Sequence, residues 1–214
     1  MTKKERYQQV LEYFRQNMKL AETELDFGTG FQLLVAVILS AQCTDKRVNV
    51  ITPKLFFDYP DADAMSYAEP EVIFEYIKSC NYPNSKAKYI SEMAKMLVKD
   101  FNSKVPDDVD QLQKLPGVGR KTAHVIASVL FHQPKMPVDT HVFRVSARIG
   151  LSTNAKNVLQ TERQLVKYIP ENDITDAHHW LILHGRYICT ARNPKCASCG
   201  ISAFCKFYQQ IKNK

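Results

Sequence analysis

Apolar residues recur at helical spacing along nearly the whole of this chain, and almost nowhere do they alternate as a strand requires. Tyr7, Val10, Leu11, Phe14 and Met18 share one helix face, and Ala87, Ile90, Ala94, Leu97, Val98 and Phe101 share another. Val142, Val145 and Ile149 continue the pattern after Asp139, as do Val158, Leu159, Leu165, Val166 and Ile169, and all these stripes are expected to be core. The apolar run at 33–39 has the length of a buried strand but no alternating partner, so a central helix is expected there. The fold class is therefore all-α, with prolines such as Pro53, Pro83 and Pro116 expected at the joints between helices.

A second constraint lies near the end of the chain. Cys189, Cys196, Cys199 and Cys205 follow the spacing Cys-x6-Cys-x2-Cys-x5-Cys, which lets neighbouring thiolates reach adjacent corners of a [4Fe-4S] cube. Tetrahedral zinc is the rival, although all-cysteine zinc sites more often read as two Cys-x2-Cys pairs, and only one such pair is present. Cys43 and Cys80 lie far from this group among apolar neighbours and read as buried thiols.

Lysine and arginine number 29 against 22 acids, a formal charge of +7, which four thiolates around a 2+ cluster core would trim to about +5. Such a surface suits a polyanion, though excess charge also serves solubility. No apolar run is long enough to cross a bilayer, and the opening MTKKER lacks the apolar stretch of a signal peptide, so a cytoplasmic protein is expected.

The segment LPGVGRKTA at 115–123 reads as the hairpin of a helix-hairpin-helix element. Val109, Leu112 and Leu115 would end one helix and Pro116 would stop it, while Gly117 and Gly119 would allow backbone angles and close approach that side chains forbid. A second helix starting near Arg120 would offer unpartnered N–H groups to a phosphate, without reading a base. A plain helix–helix turn would use the same residues.

Lys121 falls in the first turn of that second helix. The positive helix start, a basic neighbourhood and partial burial would all favour the neutral amine, the form that attacks carbon and makes a Schiff base. From Lys121 the helix would rise about 16 Å by residue 131, and the extended reach of 132–138, roughly 23 Å, suffices to bring Asp139 back to the same level. Asp139 is also a good N-cap for the segment that follows, and a carboxylate fixed at a helix start is held in its ionised form.

These segments together, LPGVGRKTA, VDTHVFR at 138–144 and the four-cysteine tail, resemble the endonuclease III family of DNA glycosylases and abasic-site lyases. The resemblance extends to LSAQCTD at 39–45, NSKA at 84–87 and HGRYIC at 184–189, and so runs over essentially the whole chain. It implies two helical domains with DNA crossing the cleft between them. One is a six-helix barrel carrying the hairpin, at 23–133. The other is a discontinuous iron-sulfur cluster domain, at 1–22 and 134–214. The implied partner is double-stranded DNA containing damaged bases or abasic sites, met by a monomer at the bacterial nucleoid.

On this resemblance Lys121 is the nucleophile and Asp139 its charged partner. The damaged nucleotide, an oxidised or ring-saturated pyrimidine, is rotated out of the duplex. The amine attacks the C1′ carbon of its sugar, and elimination then nicks the strand. Gln42 matches the residue that fills the space left by the extruded base, and Tyr82 falls near the wedge inserted into the base stack. At 81–83, however, Asn-Tyr-Pro stands where the family has Gly, a bulky residue and Tyr. Ser40, Asp45 and His141 match residues around the active-site cavity, and His124, where Asn is frequent, either lines that pocket or packs. Gly117, Gly119 and Arg120 in the hairpin, with Arg192 and Lys195 in the loop between the first two cluster cysteines, would meet the DNA backbone.

Two other functional classes fit part of the pattern. A mismatch-type glycosylase that stops at the abasic site shares hairpin, aspartate and cluster but usually lacks a lysine at the place of Lys121 and carries a further C-terminal domain. A non-catalytic helix-hairpin-helix DNA-binding module needs Gly117 and Gly119 but neither Lys121 nor Asp139.

Overall fold

The structure, a computed structural model, describes residues 1–18 and 22–212; 19–21 and 213–214, which the expected domain spans include, lie outside the described residues. Among the described residues every regular element is a helix and no strand occurs. The chain divides into two compact units, Glu24–His132 and the discontinuous Met1–Thr23 with Gln133–Lys214.

Helix α1 (Lys3–Asn17) opens the discontinuous unit and is started by a capping box in which Thr2 and Glu5 each satisfy the other's backbone N–H. Its apolar face, Tyr7, Val10, Leu11 and Phe14, is buried. The Glu24–His132 unit then holds α2 (Gly30–Ser40), α3 (Asp45–Asp58), α4 (Ala62–Ser66), α5 (Pro70–Ile77), α6 (Pro83–Phe101), the single turn α7 (Val109–Leu112) and α8 (Arg120–Phe131). Helix α2 contains the apolar run at 33–39, buried on all sides, as a helix at the centre of a bundle must be.

The chain returns to the first unit as α9 (Thr140–Ile149), α10 (Val158–Tyr168), α11 (Ile174–Tyr187) and α12 (Lys206–Lys212). The core of this unit contains Val142 and Val145 of α9, Leu165 of α10, Trp180 of α11 and the loop residue Ile201, together with the buried face of α1. Helix α1 is further tied to distant chain by Tyr7, whose hydroxyl donates to the Leu151 carbonyl at 2.9 Å, and by buried Arg6, whose Nε donates to the Phe204 carbonyl at 2.9 Å. No helix among the described residues is long and apolar enough to cross a membrane.

Three local expectations are corrected. Pro53 lies inside α3 rather than at a joint; burial of Val48, Ile51, Thr52 and Leu55 holds the helix through a residue that costs about 3 kcal/mol in a helix interior. Of the expected stripe within α10, Val158, Leu159, Leu165 and Val166, only Leu165 is buried, with Ile169 just beyond; Val158 and Leu159 are 52% and 39% exposed. The helix before the hairpin ends at Leu112, and not at Pro116.

Candidate functional site

After α7 the chain makes a tight turn in which the Val118 N–H donates to the Leu115 carbonyl at 3.0 Å. With Pro116 and Gly117 at its centre and Gly117 at φ +78°, this is the type II geometry, in which Pro presets the second residue and Gly supplies the third. A Cβ on Gly117 would also stand 2.9 Å from the Cβ of Tyr89. Gly119 differs from the expectation: its backbone is ordinary extended chain, and a Cβ there would meet nothing within 4 Å. Nothing in the fold requires glycine at 119, so its bareness leaves the start of α8 open to solvent.

Gly119 is the N-cap of α8 and provides no side-chain cap, and the first turn of α8 contains no acid. The positive end of the helix is therefore uncompensated by its own side chains, which favours a nearby anion. Arg120 and Lys121 both stand exposed in this turn. Exposure of Lys121 corrects the expectation of partial burial.

Asp139, half-buried, is the N-cap of α9 and accepts the Val142 N–H at 2.7 Å, which pins one carboxylate oxygen at a helix start. Lys121 belongs to the Glu24–His132 unit and Asp139 to the other. His141, in the first turn of α9, accepts from Arg144 Nη2 at 3.2 Å on Nδ1.

Gln42 and Tyr82 occupy two loops of one unit that the structure brings together. Both have left-handed backbones, φ 55° and 56°, and both side chains are exposed, Tyr82 by 64%. The Asn81 amide donates to the Gln42 carbonyl, joining the loops directly. Lys86, buried in α6, donates to the carbonyls of Leu39 and Ala41 at 2.7 and 2.8 Å, satisfying the open C-terminal end of α2 just before Gln42. Burial lowers the pKa of Lys86, against the pull of the nearby Cys80 and Cys43 thiols. Ser40 closes the same helix end by donating to the Val37 carbonyl at 2.9 Å. Asp45 is the first residue of α3, whose cap is Thr44. His124 is buried in α8.

Cys189, Cys196, Cys199 and Cys205 line one partly open pocket. Among the described residues no three His, Cys, Asp or Glu side chains gather tightly enough to hold a single metal ion. Four thiols lining one pocket fit the four corners of an iron-sulfur cube. Burial pushes the thiols of Cys196, Cys199 and Cys205 up, and their neighbouring cysteines add to it; ligation itself must supply the thiolates.

Two arginines that sequence reading missed hold this loop. Arg148 donates to the carbonyls of Thr190 and Ala191 at 2.7 and 2.8 Å, lies 3.6 Å from Cys189 Sγ, and stacks over the Phe207 ring at 4.8 Å. Arg144 donates to the carbonyls of Gly185 and Cys189 at 2.9 and 3.2 Å. Their four-residue spacing on α9 was the available signal, since it puts both guanidiniums on one face. Helix α9 therefore carries Asp139 at its start and grips the cysteine loop along its side. Arg192 and Lys195 project exposed from that loop.

Residues 35–171 match the model of the HhH-GPD superfamily base excision DNA repair proteins, and 189–205 match the iron-sulfur binding domain of endonuclease III. The chain is 48% identical over 200 residues to endonuclease III of Rickettsia felis, covering 93% of each chain. It is 44% identical over 206 residues to that of Escherichia coli K12, covering 95% of this chain and 96% of the relative. Its fold superposes with a TM-score of 0.93 on the structure of a trapped endonuclease III–DNA covalent intermediate, at 39% identity over 99% of this chain and all of the other. A thermostable thymine-DNA glycosylase, 23% identical over 97% of each chain with a TM-score of 0.84, shares the fold. The chain accordingly carries a [4Fe-4S] cluster. The chain belongs to the endonuclease III family, the bifunctional glycosylases and abasic-site lyases of base excision repair.

Proposed function

We propose that this enzyme removes oxidised or ring-saturated pyrimidines from double-stranded DNA and cuts the strand at the resulting site, with the Lys121 amine as the nucleophile. The observation that carries this reading is an exposed lysine in the first turn of a helix whose start has neither a side-chain cap nor an acid. Phosphate binds at such a start through the backbone N–H groups, and the bareness of Gly119 lets it come close. Phosphate held there sets the strand beside the exposed Lys121 amine.

The damaged base leaves its sugar as positive charge develops there, and the Asp139 carboxylate, fixed by the Val142 N–H, stabilises that charge. Lys121 Nζ bonds to C1′, and the iminium so formed acidifies the neighbouring carbon. Elimination of the 3′ phosphate then nicks the strand. Gln42 enters the gap in the duplex and Tyr82 wedges into the stack, carried by loops that Asn81 and Lys86 brace. Ser40, Asp45 and His141 are assigned, on the family resemblance, to the reception of the extruded base. Arg192 and Lys195 contact backbone phosphates from the loop that the cluster orders. The enzyme works as a monomer at the nucleoid.

Duplexes bearing one oxidised pyrimidine each, assayed with and without alkali, test the reading. Cutting without alkali is expected, lost in Lys121→Gln while the protein stays folded. Normal nicking by that variant would remove Lys121 from its role, and cutting that always needs alkali would leave a base-removing enzyme without lyase action.

A further inference from the structure

Cys43 directly follows Gln42, and Cys80 lies two residues before Tyr82. Their sulfurs stand 3.7 Å apart, Cys43 half-buried and Cys80 buried. This is closer than two unrelated core thiols need to be, and it occurs where the Asn81 amide already joins the two loops. The backbone fixes both cysteines: the Cys43 N–H donates to the Ser40 carbonyl at 3.0 Å and the Cys80 N–H to the Ile77 carbonyl at 2.8 Å. A bond of about 2.05 Å needs only local approach of the two loops.

We infer that Cys43 and Cys80 form a redox-active dithiol, which a small disulfide such as oxidised glutathione converts to an intramolecular disulfide that locks the Gln42 and Tyr82 loops together. Cys43, the accessible partner, is the entry point. Its thiolate attacks one sulfur of the small disulfide and releases one small thiol; the Cys80 thiolate then displaces the second, closing the cysteine bond. Two cysteine thiols give up two electrons and two protons, and one small disulfide becomes two thiols. Cys80 acts second because burial above all, with Cys43 beside it, pushes its thiol up to about 11, against the opposing pull of Lys86 and Arg47.

The cross-link matters because both loops carry residues assigned to the DNA gap, and this consequence rests on that assignment. Drawing the loops together displaces Gln42 and Tyr82 by a fraction of the change in sulfur separation. Misplacement on the order of 1 Å costs up to about a hundredfold in rate.

The test treats the cluster-loaded protein with oxidised glutathione, follows the visible absorption to confirm that the cluster survives, and maps peptides by mass. The wild type is expected to gain one internal link between the Cys43 and Cys80 peptides, with two hydrogens lost. Nicking of lesion-bearing duplex then falls about tenfold or more and returns with dithiothreitol. Cys80→Ala stops at a glutathione adduct on Cys43, and Cys43→Ser keeps its activity through the treatment. A wild type that ends with a glutathione adduct alone, or unmodified, overturns the dithiol. A cross-linked protein that nicks at the untreated rate, or equal loss of activity in Cys43→Ser, overturns the locking of the loops. Absence of nicking before any oxidation would instead refute the proposed repair activity, and the peptide masses would still decide the dithiol.

Discussion

Asp139 has two assignments, and substitution separates them. As an N-cap it holds the start of α9, and Asn caps about as well as Asp, whereas Ala loses about 1 kcal/mol. Asp139→Asn should therefore leave the thermal midpoint nearly unchanged while strand nicking falls by about 10²-fold or more, since only the charge is gone. Full activity in that variant would reduce Asp139 to a cap. Arg148 permits a similar separation at the metal centre. Arg148→Met keeps most of the contact with Phe207 but abandons the Thr190 and Ala191 carbonyls and the N–H near Cys189 Sγ. Faster loss of visible absorption on exposure to chelator is expected, with α-helix content retained in the rest of the molecule. Unchanged cluster lifetime would show that the guanidinium merely decorates the loop.

The hairpin shows how one element divides its glycines between folding and function. Gly117→Ala must force φ +78° on a residue with a Cβ and press that carbon against Tyr89, so a loss of about 1–3 kcal/mol is expected in denaturant unfolding. Gly119→Ala meets no atom, and its stability should stay within about 0.5 kcal/mol of wild type while affinity for duplex DNA falls. A Gly119→Ala protein that bound DNA normally would remove this position from the interface. The motif in the sequence pointed to both glycines but could not assign them different tasks, because backbone angle and neighbouring atoms are tertiary facts. The boundary of α7 was hidden for a related reason: Leu115 has helical spacing yet packs from a turn.

At the scale of the molecule, helical class and the cysteine centre were legible because each rests on local spacing. What escaped reading joins residues far apart in the chain: Arg148 with Thr190, Lys86 with Leu39, and Cys43 with Cys80. No period in the sequence announces such pairs, and Cys43 in particular looked like an ordinary core thiol. Burial also sets an acid limit on the fold. His179 has its pKa lowered from 6.5, chiefly by desolvation, so the folded state binds a proton less readily than the unfolded one. Its stability is full above pH 6.5 and declines as pH falls below 6.5 toward the lowered folded value. A fall in the thermal midpoint across that window, reduced in His179→Gln, is the expected result, and an identical decline in the variant would assign the effect elsewhere.

The central claim is a covalent bond between one amine and a DNA sugar. Borohydride added during reaction with a lesion-bearing duplex should trap a protein–DNA adduct, with the attachment mapped by mass to the peptide containing Lys121, and Lys121→Gln should form none. An adduct mapped to another residue, or efficient nicking with no trappable adduct, would contradict the account.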